Sequence, residues 1–159
     1  MKILSLDAEV NGLYGLPFAI GVTVRVDGVE TARFEGRLPD SAVTHPRAIR
    51  RSLSAIQDME VTHTDVVALE EAFWEFWMAN KADAVVIAHC GSPVESGLFR
   101  RCVERNIEER EFEGPFPAIH DAATFLLMIG TNPWSVDTYV ANHEIVVPHD
   151  GQPHNPVYD

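Results

Sequence analysis

The run from Phe18 to Val26 constrains this chain more than any other segment. β-Branched residues recur along it, so it reads as a strand. It ends on Asp27-Gly28, a pair that favours a two-residue hairpin. Glu30 to Gly36 then returns as another strand. Before it, Lys2 to Asp7 is rich in Ile and Leu and reads as a buried strand ending on an acid, and Asn11 to Pro17 is turn material. The predicted opening is an antiparallel meander of three strands.

The rest of the chain changes period. Arg37 to His63 is polar and holds one weak helical segment, in which Arg47, Arg50 and Arg51 share a face. Thr64-Asp65 caps the next helix, whose core stripe is Val66, Leu69, Phe73, Phe76 and Trp77. Glu70, Glu71 and Glu75 are assigned elsewhere on the wheel. Ala84 to Ala88 is a short continuous apolar run, hence a buried parallel strand. Ser92-Pro93-Val94-Glu95 then predicts a helix start, with Ser92 as cap, Pro93 first and Glu95 completing a capping box. Pro117 to His120 is a weaker strand, followed by helices over Ala122–Ile129 and Ser135–Asn142. Meander, helix, strand, helix, strand, helices makes a mixed α/β sheet.

With 159 residues the chain forms one domain, 1–159. No apolar run reaches the roughly 20 residues of a membrane helix, and an acid at position 7 comes too early for a secretory leader. Cys90 and Cys102 make no disulfide framework, so a cytoplasmic location is expected. A net charge of −12 excludes a nucleic-acid coat held by bulk positive charge. It leaves room for an enzyme that meets phosphates through cations held by carboxylates.

Three places bring such carboxylates. Asp7 and Glu9 end the first strand two residues apart, so both point to one side. Gly12 follows and permits close approach of a chain or ligand. Glu95 follows the buried strand Ala84–Ala88, and ligands gather near the carboxyl ends of parallel strands. His154 and Asp159, five residues apart, bring a base with a near-neutral pKa and a fourth acid. Paired oxygen ligands suit Mg²⁺ or Mn²⁺.

In order and spacing, Asp7-Ala8-Glu9-Val10-Asn11-Gly12, then Ala88-His89-Cys90-Gly91-Ser92-Pro93-Val94-Glu95, then His154-Asn155-Pro156-Val157-Tyr158-Asp159, the chain resembles the DnaQ-like 3′–5′ exonucleases of the DEDDh branch. The resemblance implies a ribonuclease-H-like α/β fold, with three antiparallel strands, then parallel strands, flanked by helices. It implies a hydrolase that releases nucleoside monophosphates from a single-stranded DNA or RNA 3′ end. Asp7, Glu9, Glu95 and Asp159 would hold two Mg²⁺ or Mn²⁺ ions, and His154 would act as general base. Leu13 and Tyr14 would pack on the terminal bases, and Arg47, Arg50, Arg51, Arg100, Arg101 and Arg105 would contact the backbone. Some relatives are homodimers. The chain departs from the pattern at Glu95, where the family has Asp, at Cys90, where Asn is common, and at Val94, where an aromatic is usual. The sequence ends at Asp159, where the family continues into a helix.

Two other classes stay open. A catalytically degenerate relative would bind nucleic acid or a protein without turnover. A Zn²⁺ site from His143, His149, His154 and Asp150 is a weaker pattern, because spacings of six and five match no helical pair. A thiol nucleophile at Cys90 with His89 is disfavoured, since adjacent strand residues point apart.

Overall fold

The computed structural model describes residues 1–115, 119–146 and 155–156. The three-strand meander forms as β1 (Lys2–Val10), β2 (Pro17–Val26) and β3 (Val29–Arg37). Asp27 and Gly28 have φ of 49° and 85°, the positive values that a tight hairpin turn with right-handed twist requires. β4 (Ala84–Ala88) and the two-residue β5 (His120–Asp121) complete a five-stranded mixed sheet in the order β3-β2-β1-β4-β5. β2 is antiparallel to both its neighbours, while β4 is parallel to β1 and β5 parallel to β4. The fold is therefore α/β, a mixed sheet flanked by helices.

Among the described residues, six α-helices follow the meander: α1 (Pro46–Arg51), α2 (Val66–Asn80), α3 (Val94–Glu104), α4 (Ile107–Arg110), α5 (Ala122–Met128) and α6 (Val136–Asn142). Asp65 caps α2 by accepting from the Ala68 amide, and Ser135 caps α6 by accepting from Thr138. Among the described residues no helix is long and apolar enough to cross a membrane.

The core lies between the sheet and α2 and α3. In β1, Leu4, Leu6 and Ala8 are buried, and they join Leu69, Phe73, Trp77, Leu98 and Phe99 in one apolar cluster. Edge-to-face ring contacts order its centre: Phe73–Phe99 at 5.2 Å and Trp77–Phe99 at 5.0 Å. Alternation along β1 sends Asp7 and Glu9 to the other side from Leu6 and Ala8.

Glu70 corrects the expected helical wheel. It is fully buried, along with Trp74. Positions 66, 70, 73 and 77 lie on one stripe of a helix, so Glu70 faces inward. Arg101 Nε donates to its carboxylate at 2.7 Å and Arg105 Nε at 3.0 Å, which makes the burial tolerable. Arg110 pairs with Glu71 at 2.6 Å and stacks on Trp74 at 5.1 Å. Arg101 and Arg105, expected on a nucleic-acid face, are thus anchored in a structural ion cluster, and Arg100 lies 3.7 Å from Glu104.

Candidate functional site

β1 outruns its parallel neighbour. β4 pairs with Lys2 to Ser5 only, so beyond Ser5 the strand has β2 on one side and a gap on the other. A backbone N–H in such a gap needs a partner. The Ala8 amide finds it in Glu95, donating to Oε1 at 3.2 Å. Glu95 is 3% exposed, so its carboxyl lies buried against β1 between the positions of Asp7 and Glu9.

This arrangement overturns the expected capping box. The position before the first residue of α3 is Pro93, which has no side-chain acceptor and makes no capping bond. The Ser92–Pro93 bond is cis. The Glu95 side chain spans from α3 to the central strand. Gly91 makes the turn tight: a Cβ there would lie 2.9 Å from the Ala88 methyl and 3.9 Å from Glu95 Oε2.

The electrostatics follow from burial. Loss of solvent pushes the Glu95 carboxyl up to about 7, and repulsion from Glu9 and Asp121 adds to the rise. Hydrogen bonds from its own amide and that of Ala8 act in the opposite direction. Carboxylates thus crowd the end of β1, a donor set that suits a hard divalent cation. Among the described residues, no three acidic, histidine or cysteine side chains converge as a group able to hold a metal.

Glu9 is held from a second side. Ser52 Oγ donates to Glu9 Oε2 at 2.6 Å, and Ser52 is itself buried at the C-terminus of α1. The sequence reading missed Ser52, for which a lone serine after three arginines gives no signal. It also missed His45. The close approach that Gly12 permits is by this imidazole: a Cβ at Gly12, whose φ is 79°, would meet the ring at 3.3 Å.

Asn11 ties the same region together. Its Oδ1 accepts from the amides of Thr44 at 2.7 Å and His45 at 3.0 Å, and its Nδ2 donates to the Ala42 carbonyl at 2.9 Å. One side chain thereby fixes the segment leading into α1 against the end of β1. Leu13 and Tyr14 project from the β1–β2 turn, 60% and 86% exposed.

Neither a family model nor a curated protein matches this sequence.

Cys90, where the resembled family commonly has Asn, has φ of 57°. That left-handed conformation suits Asn better than Cys, and it is held here by Asp121, whose Oδ1 accepts from the Cys90 amide at 3.0 Å. Burial, then Asp121 and Glu95, push the Cys90 thiol up, which disfavours a thiolate. The His89 ring is engaged elsewhere, its Nε2 2.8 Å from the Pro133 carbonyl. His143 contacts the Tyr139 carbonyl at 2.8 Å and stacks near its ring. His149, Asp150, His154 and Asp159 lie outside the described residues. Among the described residues, Glu95 thus reaches the Ala8 backbone between Asp7 and Glu9, and Ser52 holds Glu9 near the Gly12 turn, without the three carboxylates converging as one group.

Proposed function

We propose that the chain is a metal-dependent 3′–5′ exonuclease of the DnaQ-like kind, acting on single-stranded DNA or RNA. The observation that carries the reading is Glu95: a buried acid on α3 whose carboxyl reaches the backbone between Asp7 and Glu9. A chain with no use for carboxylates there would satisfy the Ala8 amide with a neutral group and avoid the desolvation. The strand order β3-β2-β1-β4-β5, with β2 opposed to the rest, is compatible with a ribonuclease-H-like sheet.

In this reading Asp7, Glu9 and Glu95, with Asp159, hold Mg²⁺ or Mn²⁺. Cations held there would supply Lewis-acid chemistry for activating a water and stabilising a leaving oxygen. His154 accepts the proton of that water. Asp7 and Glu9 would bind from the strand end and Glu95 from α3. Glu95 is one methylene longer than the family's Asp, so either the metal site would shift or α3 would sit farther back.

A second reading has one observation in its favour. With no cation bound, a Glu95 that titrates near 7 is partly protonated at neutral pH and is a weakened ligand. That would fit a degenerate relative that binds nucleic acid or protein without turnover. One experiment separates the two. The protein is incubated with 3′- and 5′-labelled single strands of DNA and RNA in Mg²⁺, Mn²⁺ or EDTA. The enzyme reading expects stepwise shortening from the 3′ end, abolished by EDTA and by Asp7→Ala. Binding without shortening supports the degenerate relative, and full activity in EDTA would falsify the metal-dependent reading.

A further inference from the structure

Every arginine outside α1 has a carboxylate within ion-pair distance, among them Arg25–Glu30 at 3.6 Å, Arg100–Glu104 at 3.7 Å and Arg110–Glu71 at 2.6 Å. Among the described residues, Arg47, Arg50 and Arg51 have none, in a chain with 24 acidic residues against 12 basic ones. All three are exposed. At spacings of three and four they share one helical face, where like charges repel. The helix dipole favours Arg50 and Arg51 in the last turn. It disfavours Arg47 in the first. Self-stabilisation of α1 therefore does not account for the trio, whereas a row of phosphates does.

The opposite face of the same helix leads to the candidate site. Ala48 and Ser52 are buried one turn apart, and the Ser52 amide donates to the Ala48 carbonyl at 2.8 Å. Ser52 Oγ then holds Glu9 at 2.6 Å. One helical turn thus joins the guanidinium face to a site carboxylate. Tyr14, 86% exposed on the turn that Asn11 ties to this segment, offers a flat surface for an unpaired base.

We infer that α1 is an arm that grips the phosphodiester backbone of a single strand, and that Ser52 is the positioning residue that sets Glu9 beside the strand the arm holds. This rests on the exonuclease reading above. A partly bound strand reaches the carboxylates only if Glu9 keeps one orientation, and a partly buried 2.6 Å hydrogen bond from the end of the arm supplies that.

The arm is tested by binding. Fluorescent dT12 and rA12 are titrated with the full chain in Ca²⁺ at several salt concentrations. Each phosphate contact on a single strand contributes about 0.7 to the slope of log K against log salt, so Arg47→Gln/Arg50→Gln/Arg51→Gln should flatten the slope by about 2. Hydrolysis of the p-nitrophenyl ester of thymidine 5′-phosphate, which has no backbone to grip, reads the metal site separately from the arm. An unchanged salt slope overturns the arm.

The positioning role is tested by the Mn²⁺ midpoint, read both from that hydrolysis and from direct Mn²⁺ binding. Ser52→Ala should raise it about 10-fold, and Ser52→Thr, which keeps the hydroxyl, should restore it. A Ser52→Ala variant with an unchanged midpoint and a normal thermal transition overturns the role. Shortening of oligonucleotides with an unaltered triple variant overturns this inference and leaves the nuclease reading standing. A flattened slope with no strand shortened in any metal does the reverse, and a wild type that neither binds Mn²⁺ nor oligonucleotide overturns both.

Discussion

Replacing Glu95 by Gln should stabilise this protein, and only above mildly acidic pH. The buried carboxyl of the folded chain titrates near 7, against an ordinary glutamate value of 4.5. Below 4.5 the group is protonated in both folded and unfolded chains, and its environment costs nothing. Between 4.5 and 7 the unfolded chain releases its proton first, so stability falls as pH rises. Above 7 the loss is complete. At about 1.4 kcal/mol per pH unit, the span amounts to about 3 kcal/mol. Gln keeps an acceptor for the Ala8 amide and carries no charge to desolvate. For a chain of this length the gain corresponds to a rise in Tm of roughly 6–12 °C. Thermal unfolding is followed by circular dichroism in EDTA at pH 4.5, 6 and 8, for wild type and Glu95→Gln. The gap should be near zero at the lowest pH and fullest at the highest. A gap that stays constant with pH, or a wild type more stable than the variant at pH 8, refutes the buried, charge-crowded Glu95. Under the exonuclease reading, Mn²⁺ at pH 8 should raise the wild-type Tm and leave that of Glu95→Gln nearly where it was.

Two further substitutions test the surrounding frame. Glu70→Gln removes the charge that Arg101 and Arg105 share, and should cost about 3 kcal/mol in urea unfolding, at the low end for a broken buried pair because both arginines keep some solvent access; a loss under 1 kcal/mol contradicts the cluster. Asn11→Ala releases two amides and a carbonyl and should cost about 1–2 kcal/mol, read as a lower Tm, together with faster amide exchange at Thr44 and His45; unchanged exchange there contradicts the tie.

The meander was legible because each of its signals is local. β-Branched alternation and an Asp-Gly pair define β2 and its turn whatever the rest of the chain does. The same holds for β4, whose apolar run matches the strand from Ala84 to Ala88. What escaped the sequence depends on partners far along the chain. Glu70 is buried because Arg101 and Arg105 arrive from α3 and its end, some 30 residues later. Ser92 does not cap, although its pattern fits, because α3 begins at Val94 and leaves Pro93 at the cap position, while Glu95 reaches the Ala8 amide, 87 residues away. Ser52 and His45 matter through Glu9 and Gly12, contacts that no spacing rule contains. Asp7, Glu9 and Glu95 were readable as acids at strand and helix ends, but the reach of Glu95 to the Ala8 amide depends on β4 ending where β1 continues.

The sheet's two borders bear on how copies of this chain meet. At one border, β3 sets Glu30, Arg33 and Glu35 in a ladder of ion pairs, with Arg33 Nε 2.8 Å from Glu30. A second strand laid alongside would have to disturb those pairs. At the other border, β5 lasts two residues before Asp121 turns the chain into α5 by accepting from the Ala123 amide at 2.8 Å. Two residues are too few to template a neighbour. Among the described residues, one border of the sheet is thus lined with paired charges and the other is two residues long, which disfavours continuous β-structure running from one molecule into the next.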